Sequence, residues 1–336
     1  MIFVSKHLKK QWIVLFFILN LLFLLFILSI KLGVYITQWN DIMSSFSDFN
    51  GSNEHVIIRD VRFPRALIAA CVGASLGIAG ALLQILTQNP LADTGILGVN
   101  GGASLLVVIA VSMFSISSLS QFTWIAFLGA AIFGTLVYIL GQTTKTNHSP
   151  IRLTLAGAAV AAFTTSLTHA FLIINASALD EVLFWISGSI AGRSMDMLRE
   201  VFPYMCIGWI GSIIIAKKID ALQLGEDVAK SLGQNTVWVK LSIGLLIIIL
   251  AGSSVSIAGP ISFVGLVIPH MARFFVGLNS RWVIIFSGLL GACLLLLADI
   301  ISRLIGMPQE IPIGVTTAII GVPFFIYIVR KGRMQS

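Results

Sequence analysis

Apolar residues in this chain come in long, nearly unbroken runs, where a soluble fold would show short alternations or one amphipathic stripe per helix. Runs of roughly 17 to 25 residues, the length that crosses the hydrocarbon core of a bilayer, fall at 12–34, 64–86, 96–114, 122–141, 152–174, 200–216, 237–256, 261–278, 282–302 and 312–330. The pattern predicts an all-α, polytopic membrane protein with about ten transmembrane helices, forming one membrane domain over residues 1–336. The second window has an internal pattern of its own. Ala66, Ala70, Gly73, Gly77, Gly80 and Gln84 advance by three or four and so share one helical face, on which Gly73-xxx-Gly77 admits another backbone at close range. That face reads either as a packing seam or as the border of a pathway with Gln84 at its inner end. A buried amide needs protein or water beside it in either case.

Composition excludes a soluble globule: 57% of the residues are hydrophobic, 10% are charged, and mean hydropathy is +0.99. Cys71, Cys206 and Cys293 are odd in number and lie inside apolar runs, which argues against a disulfide framework or a metal site. Lys6, Lys9 and Lys10 precede an apolar run longer than the core of a signal peptide, so the first span is expected to be retained. With the N-terminus inside, fourteen basic residues fall on the cytoplasmic side: Lys6, Lys9, Lys10, Lys145, Arg152, Lys217, Lys218, Lys230, Lys240, Arg273, Arg281, Arg330, Lys331 and Arg333. Seven fall on the other, which puts both termini in the cytoplasm. The net charge of +7 is then a topology signal and gives no reason to expect a nucleic-acid partner. Ten spans also permit a five-plus-five inverted repeat, faintly echoed by Ser75–Gly80 against Ser254–Gly259.

Three polar interruptions stand out. The turn Gln88-Asn89-Pro90-Leu91-Ala92-Asp93-Thr94-Gly95 cannot continue a helix, because Pro90 lacks an amide donor and biases Asn89 toward extended backbone. It reads as a tight loop or as a constriction at the cytoplasmic mouth. A polar insert at 218–235 holds Glu226 and Lys230 four apart, a helical pair worth about 0.3 kcal/mol, between Gly225 and Gly233. Two turns of helix are not stable alone in water, so this segment must rest on the chain or on a partner. On the outer side, Arg59, Arg62, Arg65 and Arg303 run against the charge bias. Either they pair locally with Asp60 or Asp299, or they form a docking surface for an acidic partner. His169 and Asp299 lie toward outer helix ends, the latter four residues from Arg303.

No GxxxxGK[ST] loop, HExxH or nucleophile elbow occurs, so no catalytic residue is assigned and the chain cannot energise anything by its own hydrolysis. An ion-coupled secondary carrier, the alternative from another class, would need charged relays in mid-span, and these are scarce.

The chain resembles the ten-span permease subunits of bacterial ATP-binding-cassette importers for iron–siderophores, haem and vitamin B12, from about residue 12 to 331. The resemblance rests on an ordered series of motifs: Arg62-Phe63-Pro64-Arg65 with Gly73, Ala74 and Gly80; Gln84 with Asn89–Asp93 and Leu97-Gly98; Leu155–Gly157; Trp185-xx-Gly188-Ser189; Leu224-Gly225-Glu226 with Ala229-xx-Leu232-Gly233; Gly259-Pro260-Ile261 and Phe263–Leu266 with Pro269-His270-xx-Arg273; and Glu310–Gly314 with Thr317, Gly321 and Pro323-Phe324. It implies a multi-pass protein of the bacterial cell membrane, working with a cytoplasmic ATP-binding subunit that uses the ATP, an extracytoplasmic substrate-binding protein and a second permease chain, identical or paralogous. No cofactor or metal is expected on this chain itself. Ferric siderophore is the first-ranked cargo and vitamin B12 or haem the alternative. By the same resemblance Arg62, Arg65 and Arg303 receive carboxylates of the binding protein. Leu224, Gly225, Glu226, Ala229, Leu232 and Gly233 contact the ATPase, and Gln84, Asn89, Pro90 and Leu91 line the pathway and its inner gate. Thr94, where a proline is usual, and Pro150-Ile151, in place of a small polar pair, depart from the family pattern.

Overall fold

The protein is described by a computed structural model over residues 2–33, 37–114, 116, 118–142, 150–175, 182–306 and 309–333. Lys145 lies outside the described residues, as do the side chains of Lys6, Lys9, Lys10, Pro150, Ile151, Lys331 and Arg333. Within them the fold is entirely helical. Each of the ten predicted windows overlaps a helix: α1 (Ile2–Lys31), α2 (Phe63–Leu86), α3 (Val99–Phe114), α4 (Leu119–Gln142), α5 (Pro150–Ile174), α6 (Met195–Gln223), α7 (Thr236–Ala258), α8 (Val264–Val276), α9 (Ser280–Ile305) and α10 (Ile313–Arg333). Six stretches are long and apolar enough to cross a membrane unaided: Gln11–Lys31, Asn53–Leu86, Leu119–Gly141, Arg152–Ile174, Thr236–Ala258 and Ser280–Ile305. Helix α8, at 13 residues, is only about 20 Å long, short of a hydrocarbon core of about 30 Å.

Helix α2 is the central post. Its apolar window is 83% buried, against 22% for α1 and α5. It contributes to both apolar cores, Ile78, Leu82 and Leu83 to one that takes in α3, α4 and α7, and Ala66, Ile68 and Val72 to one that takes in α1, α8 and α9. Helices α1, α4 and α5 instead present exposed Phe16, Phe23, Leu128, Ile139, Phe163 and Ile173, apolar surface suited to lipid.

The small-residue face of α2 is a packing seam. A methyl group on Gly73 would strike the Gly291 carbonyl of α9, one on Gly77 the Ser287 carbonyl, and one on Gly80 the backbone of Gly265 in α8. Gly291 meets the Gly73 carbonyl in return. Backbones in such contact have no room for side chains, which is why this face consists of glycine and alanine.

The helix entering α2 begins before the predicted boundary. Asn53–Val56 is α-helical and Ile57–Arg62 is π-helical, running straight into α2. Pro64 has no amide to donate, and the wider turn just before it, where the Phe63 amide reaches back to the Ile58 carbonyl, lets the chain pass the proline without breaking.

Three motifs far apart in sequence meet in the structure as irregular backbone. A methyl on Gly188 would strike the Pro260 carbonyl, one on Gly259 the Trp185 carbonyl, and one on Gly314 the Ser187 carbonyl. The Gly314 amide also donates to the Gly188 carbonyl at 3.0 Å. Gly188 and Gly259 have φ of 75° and 69°, a left-handed backbone that glycine adopts without strain. Breaks in several helices are thus stacked on one another, so their backbone polar groups are shielded by protein.

Replacing Gly73 with valine should separate α2 from α9 and lower stability by roughly 2–3 kcal/mol. The check is the thermal midpoint of the purified protein in detergent, and an unchanged midpoint would show that the two backbones do not meet there.

Candidate functional site

Two polar assemblies sit at opposite ends of the bundle. The first gathers where α1 and α9 end and α2 begins. Asp299, fully buried, accepts from Arg65 Nε at 2.8 Å, from Arg303 Nη2 at 2.7 Å and from Ser29 Oγ at 3.4 Å. Arg65 Nη1 also donates to both carboxylate oxygens of Glu310, at 2.9 and 2.7 Å. Arg303 Nη1 bonds the carbonyls of Ser29 and Leu32, capping the end of α1. Arg62 Nη1 donates to the carbonyls of Ile30 and Lys31 and to Thr37 Oγ1.

Of the four arginines singled out in the sequence, Arg62, Arg65 and Arg303 are therefore brought together and buried, whereas Arg59 is exposed and lies over the Phe49 ring. Of the local partners considered, Asp299 is used by two of them. Glu310 belonged to a recognised motif without an assigned role, because nothing in linear spacing places residue 310 beside residue 65.

The second assembly lies at the other end of α2. Gln84 is almost wholly buried, its Nε2 donates to the carbonyls of Gly265 and Leu266 at 3.2 Å, and its Oε1 accepts from Arg273 Nη1 at 2.5 Å. Its amide thus fastens α2 to α8. Gln84 and Arg273 also border a cleft of about 490 Å³, lined further by Ile85, Gln88, Pro90, Leu222 and Gln223. The face is thus a packing seam along its length, and at its Gln84 end it borders a cleft.

The 88–95 turn is a built structure. Gln88 takes a φ of 48°, the Asn89 amide returns to the Gln84 carbonyl at 3.2 Å, and Asn89 Oδ1 accepts from the Leu91 amide at 2.9 Å. Asn and Pro suit this turn because the Asn side chain mimics a backbone acceptor while Pro90 withholds a donor. Pro90 is exposed and Asn89 and Leu91 are half-buried. Asp93 Oδ2 accepts from the Phe263 amide at the head of α8, at 3.4 Å. Burial pushes the Asp93 carboxyl above its ordinary range, opposed by that amide. Thr94 is fully buried and its hydroxyl has no hydrogen-bond partner, so the side chain that departs from the family pattern contributes bulk there and no polar contact.

The polar insert forms a short helix, Glu226–Ser231, after Gly225 at a φ of 117°. It rests on the chain by one face: Ala229 is fully buried and Glu226 binds Lys240 Nζ of α7 at 2.6 Å and Thr236 Oγ1 at 3.2 Å. The anticipated partner Lys230 lies at 3.3 Å. Lys240, fourteen positions away, is the closer partner and had no local signal. Burial alone would raise the Glu226 carboxyl, but Lys240 and then Lys230 hold it down at about 2. The opposite face is bare, with Leu224 71%, Val228 44% and Leu232 68% exposed. Val228 lies on the short helix, while Leu224 and Leu232 flank its two ends, so the segment exposes three large apolar side chains. Gln223 and Asp220 anchor the preceding helix to Ser280 at the start of α9, at 3.0 and 2.9 Å.

Comparison with known proteins is decisive. The sequence profile of the FecCD transport family matches residues 21–331. The chain belongs to the FecCD transport family. It is 49% identical over 329 residues to the "Probable siderophore transport system permease protein YfiZ" of Bacillus subtilis (strain 168), covering 98% of this chain and 99% of that one. It is 39% identical to the "Ferric enterobactin transport system permease protein FepD" of Escherichia coli (strain K12), over 94% of each. The fold is similar to "an inward-facing conformation of a putative metal-chelate type ABC transporter", with a TM-score of 0.84 and 28% identity over 95% of this chain and 99% of that one. This member of the family is a multi-pass protein of the cell membrane, as its apolar helices require.

Because the Glu226 carboxyl is depressed from 4.5 to about 2, its ion pairs stabilise the fold fully above about pH 4.5 and are lost as pH falls through about 2. NMR titration of labelled glutamates should place its midpoint near 2, and Lys240→Ala should move it back toward 4.5. Thr94→Val removes a buried hydroxyl without a partner and should leave stability unchanged or raise it by about 1 kcal/mol. A loss of thermal stability would show that the hydroxyl is bonded.

Proposed function

We propose that the chain is the transmembrane permease subunit of an ATP-binding-cassette importer for ferric siderophores, and that it transmits motion while a separate subunit hydrolyses ATP. The observation that carries this reading is the segment from Leu224 to Leu232: its Glu226–Ser231 helix is fixed to α7 through Glu226, and Leu224, Val228 and Leu232 are left exposed. Exposed apolar side chains on a braced segment are a seat for a partner, here the ATPase, with Gly225 and Gly233 setting the ends of the segment. The names of the relatives supply the cargo class. Vitamin B12 and haem remain the other cargoes of this reading.

The ten helices then cross the membrane with both termini in the cytoplasm, which places the Glu226 segment and the 490 Å³ cleft inside and the Arg65 cluster outside. An open inner cleft accords with the inward-facing neighbour. Gln84, Asn89, Pro90 and Leu91 form the inner mouth, and a second permease chain completes the pathway. The outer arginines receive an acidic docking protein. Their burial means that an incoming carboxylate meets a preformed, desolvated guanidinium cluster, where charge complementarity counts most.

Val228→Asp with Leu232→Asp should leave the permease in the membrane but abolish co-purification of the ATPase and uptake of ferric chelate. Retained ATPase binding in that variant would sink the coupling assignment. Arg65→Glu should weaken binding of the external protein by about 2–5 kcal/mol, read by biolayer interferometry on the complex in nanodiscs.

A further inference from the structure

The two carboxylates of the outer cluster are held very differently. Asp299 is fully buried, lies within α9, and has both oxygens engaged by two arginines and a serine. Glu310 lies outside any helix, its side chain is 30% exposed, and both of its oxygens fall on one nitrogen, Arg65 Nη1. A carboxylate spread over one nitrogen forgoes the fork geometry that guanidinium offers, in which two parallel N–H groups meet two oxygens. Asp299 is thus a fixed part of the fold, and Glu310 is a rim group that water reaches.

We propose that Glu310 is an internal stand-in for a carboxylate of the docking protein: it occupies Arg65 Nη1 in the undocked permease and is displaced when an acidic side chain of that protein arrives. The inference rests on the docking reading above and adds a competitor to it. Exchange of one carboxylate for another leaves the charge of the cluster unchanged, so Arg65 Nη1 keeps a carboxylate while Asp299 holds Nε throughout. The competitor lowers apparent affinity by the fraction of time the site is open.

The exchange also has a route inward. Glu310 precedes α10 by three residues, its neighbour Ile311 is tied to the Ser302 carbonyl only at 3.5 Å, and Gly314 at the head of α10 bonds Gly188 in the stacked irregular segments. Release of Glu310 loosens the start of α10 where the helix breaks meet. Docking outside thereby acts on the start of α10 and, through Gly314, on the stacked irregular segments.

The test uses the permease–ATPase complex in nanodiscs and the external binding protein that co-purifies with it. Glu310→Gln should tighten docking by about five- to twentyfold, chiefly through faster association, since the site is then open all the time, while Arg65→Glu weakens it. If Arg65→Glu weakens docking but Glu310→Gln leaves it unchanged or weaker, the exchange is wrong and the docking surface stands. If Arg65→Glu has no effect, the docking surface itself is wrong. Should Glu310→Gln fail to assemble, hydrogen exchange of the wild-type peptide spanning Gln309–Ile313 decides the matter. Faster exchange on docking supports displacement, and equal or slower exchange overturns it.

Discussion

The direct backbone contact of α2 with α9 and α8 is the constraint on which everything else in this protein depends. In a bilayer no hydrophobic effect draws one apolar helix to another, because lipid is as apolar as leucine, so association rests on close packing and on internal hydrogen bonds. Gly73 against Gly291 and Ser287 against Gly77 bring two axes within reach of each other's carbonyls. That proximity lets Arg65 at one end of α2 meet Asp299 of α9, and Gln84 at the other end meet the head of α8 and Arg273. One glycine face thereby sets two polar sites a full helix apart.

Both sites obey the same rule, that a polar group taken from water must find a partner in the protein. At the Arg65 end the solution is charged, with arginines that also satisfy the last carbonyls of α1. At the other end it is an amide, Gln84, whose two functional halves serve different neighbours. The segment from Leu224 to Gly233 follows a third course. It buries Ala229, neutralises Glu226 against α7, and leaves Leu224, Val228 and Leu232 exposed. The two satisfied assemblies hold the bundle together, while these exposed apolar side chains are left without a partner in the bundle.

Much of this was legible in one dimension. Hydropathy located every long helix, since burial in lipid demands unbroken apolar runs, and the three- and four-residue spacing of small residues announced the α2 seam. The 88–95 turn was readable from Pro90 and Asn89 because proline and asparagine act locally. Helix α8 was over-extended in the sequence reading, at 261–278 against Val264–Val276, because hydropathy cannot distinguish helix from irregular backbone buried in protein. The helical lead-in at 53–62 was missed because its polar residues hide it from a hydropathy window.

What the sequence determined by itself was therefore the positions of the apolar helices, the residues able to approach closely, and the family to which the chain belongs. Those follow from forces acting within a few residues: helical periodicity, the missing amide of proline, the missing side chain of glycine. Tertiary structure alone decided the partners. Whether Arg65 would face Asp60, Asp299 or water, whether Glu226 would turn to Lys230 or Lys240, and whether Gln84 would line a cleft or close a seam all depended on elements tens to hundreds of residues away. A long side chain carries its charge in the sequence but acquires its counter-charge only when packing brings one within about 3 Å.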